Sequence, residues 1–119
     1  HLQRRRQRQM CIRDSVQTTG QVWNLHIDKL YQFNPEDPSK VVRITIMLND
    51  WEPGQFYMYG NRIYDRWKAG EIHIFDWRNV PHSTANTSYV PRVSLQLTGT
   101  KTEDTDAILN ERDHYYSVE

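Results

Sequence analysis

Apolar and polar residues alternate along this chain in short bursts broken by turn residues. Val16–Asp28 carries β-branched and aromatic residues with one glycine. Phe33–Lys40 (FNPEDPSK) is a loop, with two prolines among Asn, Asp and Ser. Val41–Leu48 (VVRITIML) is β-branched and too short to favour a helix. Asn49–Gly54 reads as a turn and Gln55–Tyr59 as a strand ended by Gly60-Asn61; Arg62–Trp67 is another, ended by Ala69-Gly70. Glu71–Trp77 alternates and then meets Pro81, Val80–Ala85 is short and irregular, and Pro91–Thr100 is a clean strand. Many short strands at even spacing predict an all-β sandwich or barrel over residues 16–100. From residue 101 to 119 the composition shifts, with a short helix expected over Asp104–Arg112 and then a tail holding His114, Tyr115 and Tyr116.

Composition changes this picture at one end. The 119 residues suffice for one small domain, and four Trp, seven Tyr and three Phe supply core material. No apolar run approaches the roughly 18 residues of a membrane helix. Residues 1–15 are basic and poor in apolar groups, as a nucleic-acid arm or transit peptide would be. However, RRQRQMCIRDS resembles a translated sequencing adapter, which implies a gene fragment from an environmental assembly whose native part enters at about Ser15 or Val16. Setting aside Arg4, Arg5, Arg6, Arg8, Arg13 and Asp14 turns the formal charge of zero into 10 basic against 14 acidic residues, net −4. A mildly acidic domain does not indicate a nucleic-acid partner. The sole cysteine, Cys11, leaves with the same segment. Disulfides, thiolate metal sites and cysteine nucleophiles are then excluded, and cytoplasmic residence is the default expectation.

Candidate chemistry lies in three places. In WNLHIDKL, strand alternation projects His26 and Asp28 to one side, two adjacent legs of a metal site. Taken alone, a surface pair at a strand end is their plainer reading. His82 follows the alternating strand EIHIFDW, and a loop histidine capping a turn is its plainer reading. Two histidines and a carboxylate from distant strands would form the facial triad of non-haem Fe(II), although zinc sites use similar ligands. Ten residues later, alternation puts Arg92, Ser94, Gln96 and Thr98 on one face and Val93, Leu95 and Leu97 on the other. If the polar face is inward, Arg92 needs a partner, and a dicarboxylate suits its planar fork, with Ser94 adding a hydroxyl. If it is outward, Arg92 is an ordinary solvated side chain.

Taken together, order and spacing resemble the 2-oxoglutarate/Fe(II) oxygenase superfamily, in the branch containing the prolyl hydroxylases. The resemblance covers most of residues 18–99: GQVWNLHID to the first-ligand strand, VVRITIMLNDWEPGQFYMY to the next strands and their turn, KAGEIHIFDWRNVPHSTA to the second histidine segment, and PRVSLQLTG to the final arginine strand. It implies a double-stranded β-helix, a jelly-roll barrel. It implies Fe(II) held by His26, Asp28 and His82, and 2-oxoglutarate held by Arg92 and Ser94, with O₂ as oxidant and ascorbate as a candidate reductant. The expected activity is hydroxylation with release of succinate and CO₂; with Asp28 present, no metal position is vacant for a halide.

There are departures from the branch's pattern. A tyrosine that touches 2-oxoglutarate often stands where this chain has Met47, and the turn has one glycine, Gly54, where two are common. The strand and helices that normally precede the first ligand strand are missing. A cupin-type metal enzyme without 2-oxoglutarate is the alternative enzyme reading, and a non-enzymatic β-sandwich module is another. Asn24 lines the pocket or satisfies backbone, His73 packs in the core or behind the ligands, and Trp23, Trp51, Trp67 and Trp77 form core or pocket wall. Asn86 starts an Asn-Thr-Ser glycosylation pattern that means nothing in a cytoplasmic protein. Substrate and oligomeric state are not legible.

Overall fold

The computed structural model describes residues 10–74 and 76–103. Among them eight strands run β1 (Met10–Gln17), β2 (Val22–His26), β3 (Val41–Met47), β4 (Gln55–Tyr59), β5 (Arg62–Tyr64), β6 (Ile72–Ile74), β7 (His82–Asn86) and β8 (Arg92–Thr100). Two 3-10 turns, Leu30–Phe33 and Pro38–Lys40, occupy the loop between β2 and β3. The strands form two four-stranded antiparallel sheets, ordered β1-β8-β3-β6 and β2-β7-β4-β5. Except for the β4–β5 hairpin, successive strands pass back and forth between the sheets, as in an eight-stranded jelly roll.

The expected strands are present but shorter. Arg62–Trp67 contributes only Arg62–Tyr64, and Glu71–Trp77 only Ile72–Ile74. Val80–Ala85, expected to be irregular, holds the regular strand His82–Asn86. The long stretch Val16–Asp28 is split by a turn at Thr18–Gln21, where the Gln21 amide donates to the Thr18 carbonyl at 3.0 Å and Gly20 takes φ +83°. Here a glycine at positive φ wins over β-branched neighbours. The helix expected over Asp104–Arg112 and the tail tyrosines lie outside the described residues.

β1 starts at Met10, inside the adapter-like segment, and pairs with β8 from Met10↔Gly99 to Gln17↔Arg92. Cys11, Ile12, Arg13 and Asp14 are exposed, and burial begins with Ser15 and Gln17. This pairing uses backbone groups that any sequence supplies, so it carries no information about the segment's origin.

The sheet β1-β8-β3-β6 has an inverted pattern. Its inner face holds Arg92, Ser94, Thr98, Thr45 and Met47, all buried. Val93, Leu95, Leu97, Val42, Ile44 and Ile46 point outward and are half-buried. A barrel interior lined with polar groups needs either internal partners or a ligand. The apolar core sits beside this zone, built from Leu30, Met47, Tyr57, Tyr59, Tyr64, Trp67 and Trp77. Four of its seven members are tyrosines or tryptophans from β4, β5 and the connection after β5. Burying such rings removes large apolar areas from water while leaving hydroxyl and indole groups available for the interior network.

Candidate metal centre

His26 ends β2, and Asp28 lies two residues beyond it, outside any strand. Simple alternation therefore does not explain why they face each other. The β2–β7 register shifts between Trp23 and His26, and His26 pairs with His82 across the strands. The Asp28 amide then donates to the Trp77 carbonyl at 3.0 Å, which pins the chain after β2 against the β6–β7 connection. The result brings all three expected metal ligands together. His26 Nε2 is 3.1 Å from Asp28 Oδ1, and His82 Nε2 is 3.4 Å from the same oxygen. One ligand atom from each of the three lies within 4.8 Å of the others. Donors in adjacent positions of an octahedral ion stand roughly 3 Å apart, so little movement is needed to enclose one.

The surroundings aim these groups. His26 Nδ1 meets the Asn24 carbonyl at 2.6 Å, and His82 Nδ1 meets the Val80 carbonyl at 2.9 Å. Each Nδ1–H is thereby fixed as donor and each Nε2 faces the carboxylate, the usual second contact of a metal-binding histidine. Asn24 itself is exposed, so its backbone, not its side chain, serves the site. The Trp77 ring stands edge-on to His82, with centroids 4.9 Å apart. The side chains of His26, Asp28 and His82 are 46%, 12% and 4% exposed, so the site is closed behind His82 and open at His26.

Arg43, on β3, was not marked by the sequence pattern. Its Nη1 donates to Asp28 Oδ2 at 2.6 Å and its Nε donates to Thr98 Oγ1 at 2.9 Å. One carboxylate oxygen is thus occupied by arginine and the other faces both histidines. Burial opposes ionisation of Asp28. The hydrogen bond from His82 and the charges of Arg43, His82 and His26 outweigh it and hold the carboxyl below its ordinary range. Asp28 is accordingly an anion, as a ligand must be. Arg43 has the same inward phase as Thr45 and Met47, the signal that marked Arg92, and could have been found by it.

Arg92 is wholly buried. Its Nε donates to Gln17 Oε1 at 3.0 Å, its Nη1 donates to the Tyr57 hydroxyl, and its buried Nη2 has no partner. Trp23 and Tyr57 rings flank the guanidinium, with centroids 5.1 and 4.5 Å from Cζ. Among the described residues no carboxylate forms an ion pair with it. Burial pushes its pKa down, only partly offset by Tyr57. Thr45 Oγ1 and Gln17 Nε2 are also buried without partners, and Ser94 is fully buried beside the Tyr57 hydroxyl. A buried cation surrounded by donors and neutral groups is costly unless an anion completes it.

His73, from β6, packs close to both centres. It stacks on Tyr64 with centroids 4.0 Å apart and stands 5.2 Å from Tyr57 and 6.4 Å from Trp77. Burial, with Arg92 and His82 nearby, lowers its pKa from 6.5 to about 3. It is a neutral packing residue behind the site, as expected. Asn86 is buried and donates to the Gln17 and Val90 carbonyls at 2.9 Å each, which closes its glycosylation pattern to modification.

No family model matches the chain, and no curated protein matches it by sequence. Solved structures do match. The cupin domain of Schizosaccharomyces pombe Cnp3 superposes with a TM-score of 0.57 at 10% identity, over 83% of this chain and 58% of that one. A cupin 2 conserved barrel protein from Salinispora arenicola gives 0.53 at 10% identity, over 87% and 73%. A Thermotoga maritima protein described as a predicted oxalate decarboxylase gives 0.54 at 16% identity, over 76% and 65%. The fold is a double-stranded β-helix. At these identities the likeness concerns the fold, and in two of the three the chain spans less than two thirds of the matched structure. Cupin barrels host several chemistries, so function has to be argued from the site.

Within this barrel a cleft of about 260 Å³ opens at the rim, lined by Leu30, Arg43, Trp77, Arg78 and Lys101 among others. It shares Arg43 with the Asp28 ion pair and Trp77 with the His82 contact. Among the described residues no helix is long and apolar enough to cross a membrane.

Proposed function

We propose that this protein is an Fe(II)- and 2-oxoglutarate-dependent dioxygenase that hydroxylates its substrate. The observation that carries the reading is the buried, uncompensated Arg92 inside the same barrel as the His26–Asp28–His82 cluster. A metal triad alone suits many enzymes. A triad with a buried guanidinium that lacks a carboxylate suits a metal-chelating acid with a second, distal carboxylate.

The donor set fits the metal. Two imidazoles and one carboxylate on a single side would hold an ion that keeps further positions for a bidentate co-substrate and O₂. Bound together, Fe(II), 2-oxoglutarate and O₂ supply oxidative decarboxylation to succinate and CO₂, coupled to hydroxylation of a C–H bond. The chain's own residues do the rest. Arg43 keeps Asp28 ionised and directs one oxygen away from the histidines. Arg92, with Ser94 beside it, takes the distal carboxylate. Trp23, Tyr57, His73 and Trp77 keep water from the space between. The open side at His26 and the cleft beside Arg43 and Trp77 are where substrate approaches.

A cupin-type metal enzyme that needs no co-substrate is the second reading, favoured by the cupin structures that superpose on this chain. It leaves Arg92 without an explanation. The discriminating experiment is aerobic incubation of the protein with Fe(II) and 2-oxoglutarate, with succinate measured. We expect slow succinate release even without substrate, abolished in His82→Ala and reduced at least tenfold in Arg92→Ala. Metal-dependent activity on small carboxylic acids with no 2-oxoglutarate consumption would favour the cupin reading instead.

A further inference from the structure

We propose that the cleft between the start of β3, the end of β8 and the β6–β7 connection binds the substrate, and that the substrate is a small organic oxyanion, a carboxylate or phosphate joined to an apolar portion. This deepens the reading under Proposed function by naming the substrate's chemistry. Its binding test needs no metal, so the two can fail separately.

The cleft has two kinds of wall. Leu30, Val41 and Trp77 supply apolar surface, and Arg43, Arg78 and Lys101 supply three cations. At about 260 Å³ it lies just below the roughly 300 Å³ at which small-molecule sites begin, so it suits a compact molecule. The Trp77 ring is held in place, because its Nε1 donates to the Arg43 carbonyl at 3.1 Å.

The charges of this lining are not balanced from within. Asp76 is its one carboxylate among the described residues. Both Asp76 oxygens are engaged in their own turn, accepting from the Asn79 amide at 3.2 Å and from Asn79 Nδ2 at 2.9 Å. Arg78 forms no ion pair among the described residues. Asp37 feels its charge, but that carboxylate is half-exposed, accepts from the Ser39 hydroxyl at 2.5 Å and faces Lys40 at 4.0 Å. Arg43 uses Nη1 for Asp28 and Nε for Thr98, and among the described residues its Nη2 makes no hydrogen bond. Residues 16–119 carry a net charge of −4, so a cationic cleft is a local arrangement and not an overflow of general basicity. Guanidinium groups present their donors in a planar fork that matches carboxylate and phosphate oxygens.

Two residues join the cleft to the candidate metal centre. The guanidinium of Arg43 borders the one and holds Asp28 of the other, and Trp77 borders the cleft while standing edge-on to His82. An anion held by Arg78, Lys101 and the unused edge of Arg43 lies beside the candidate ligands, with its apolar portion against Trp77 and Leu30.

Solvated rim charges that hold no ligand are the competing account. Titration calorimetry on metal-free protein, with hexanoate, hexyl phosphate and the neutral hexanamide as probes, separates the two. We expect at least one anion to bind about tenfold more tightly than hexanamide, the effect of one hydrogen bond to a charged group; the tighter of the two names the anionic group. The double variant Arg78→Gln/Lys101→Gln should lose that preference and bind hexanamide as wild type does, while Arg78→Lys/Lys101→Arg should keep it. Equal affinity of wild type for the anions and the amide would overturn the assignment with no variant needed. A preference that survives Arg78→Gln/Lys101→Gln would overturn it too, because the anion is then held elsewhere in the barrel. A protein that shows the expected preference but does not bind Fe(II) would keep the anion site and lose the oxygenase reading.

Discussion

A single histidine illustrates how much of this interior is set by burial. His73 is wholly buried, and its pKa is pulled from 6.5 in the unfolded chain to about 3. Below pH 6.5 the unfolded chain takes up this proton and the native protein does not. Stability is therefore lost as pH falls from about 6.5 toward 3, with a slope of up to about 1.4 kcal/mol per pH unit. For metal-free protein, urea unfolding at pH 7 and pH 5 should show His73 contributing about 2 kcal/mol to the loss. His73→Phe, which keeps an aromatic ring against Tyr64, should flatten that part of the acid limb. An unchanged acid limb in the variant would mean that His73 carries its proton in the folded state. The same burial logic separates what was legible from what was not. Arg92 stood out because an arginine in phase with Ser94 and Thr98 opposite three aliphatics has to be explained. Arg43 sat in the same kind of pattern among β-branched neighbours. Tyr57 was hidden because a tyrosine in a strand is an ordinary core residue until its hydroxyl is seen against a buried cation.

At the scale of elements, the connections that cross between the sheets hold the two centres in register. Gly54, in the turn between β3 and β4, has φ +98°, and a Cβ there would meet Thr87 Oγ1 at 2.6 Å and the Ser88 backbone nitrogen at 3.0 Å. Thr87 donates through its amide to the Gly54 carbonyl at 2.9 Å, and Gln55 Nε2 donates to the Val90 carbonyl at 2.8 Å. The β3–β4 turn thus clasps the β7–β8 connection, which leads directly into Arg92. Gly54→Ala combines a left-handed backbone with a close contact and should cost about 1–3 kcal/mol. Thermal unfolding measures the loss, and 2-oxoglutarate binding should suffer more than metal binding, because the displaced loop precedes Arg92 and not the histidines. A variant as stable as wild type would show that the loop yields freely. The strands themselves were legible from β-branched alternation and turn residues. Their ends were not, because the split at Gly20 and the early stop of β5 depend on pairing with distant partners. Asp28 faces the histidines by way of the Trp77 carbonyl, a contact that no local pattern encodes.

For the whole molecule, the two sheets divide the labour. β2 and β7 carry the histidines, while β8 and β3 carry Arg92 and Arg43, so the barrel must close for the candidate metal ligands and the buried cation to meet. The jelly roll was legible as a set of short strands and is shared with the matched structures at 10–16% identity; the chemistry is not shared by fold alone. The account stands or falls on whether metal and dicarboxylate occupy this interior together. The most direct measurement is the visible spectrum of the protein under argon after addition of Fe(II) and then 2-oxoglutarate. We expect a weak charge-transfer band that requires both additions, is absent in His82→Ala, and needs much more 2-oxoglutarate in Arg92→Ala with iron affinity little changed. Binding of both ligands with no band, or a band whose 2-oxoglutarate dependence is indifferent to Arg92, would contradict the account.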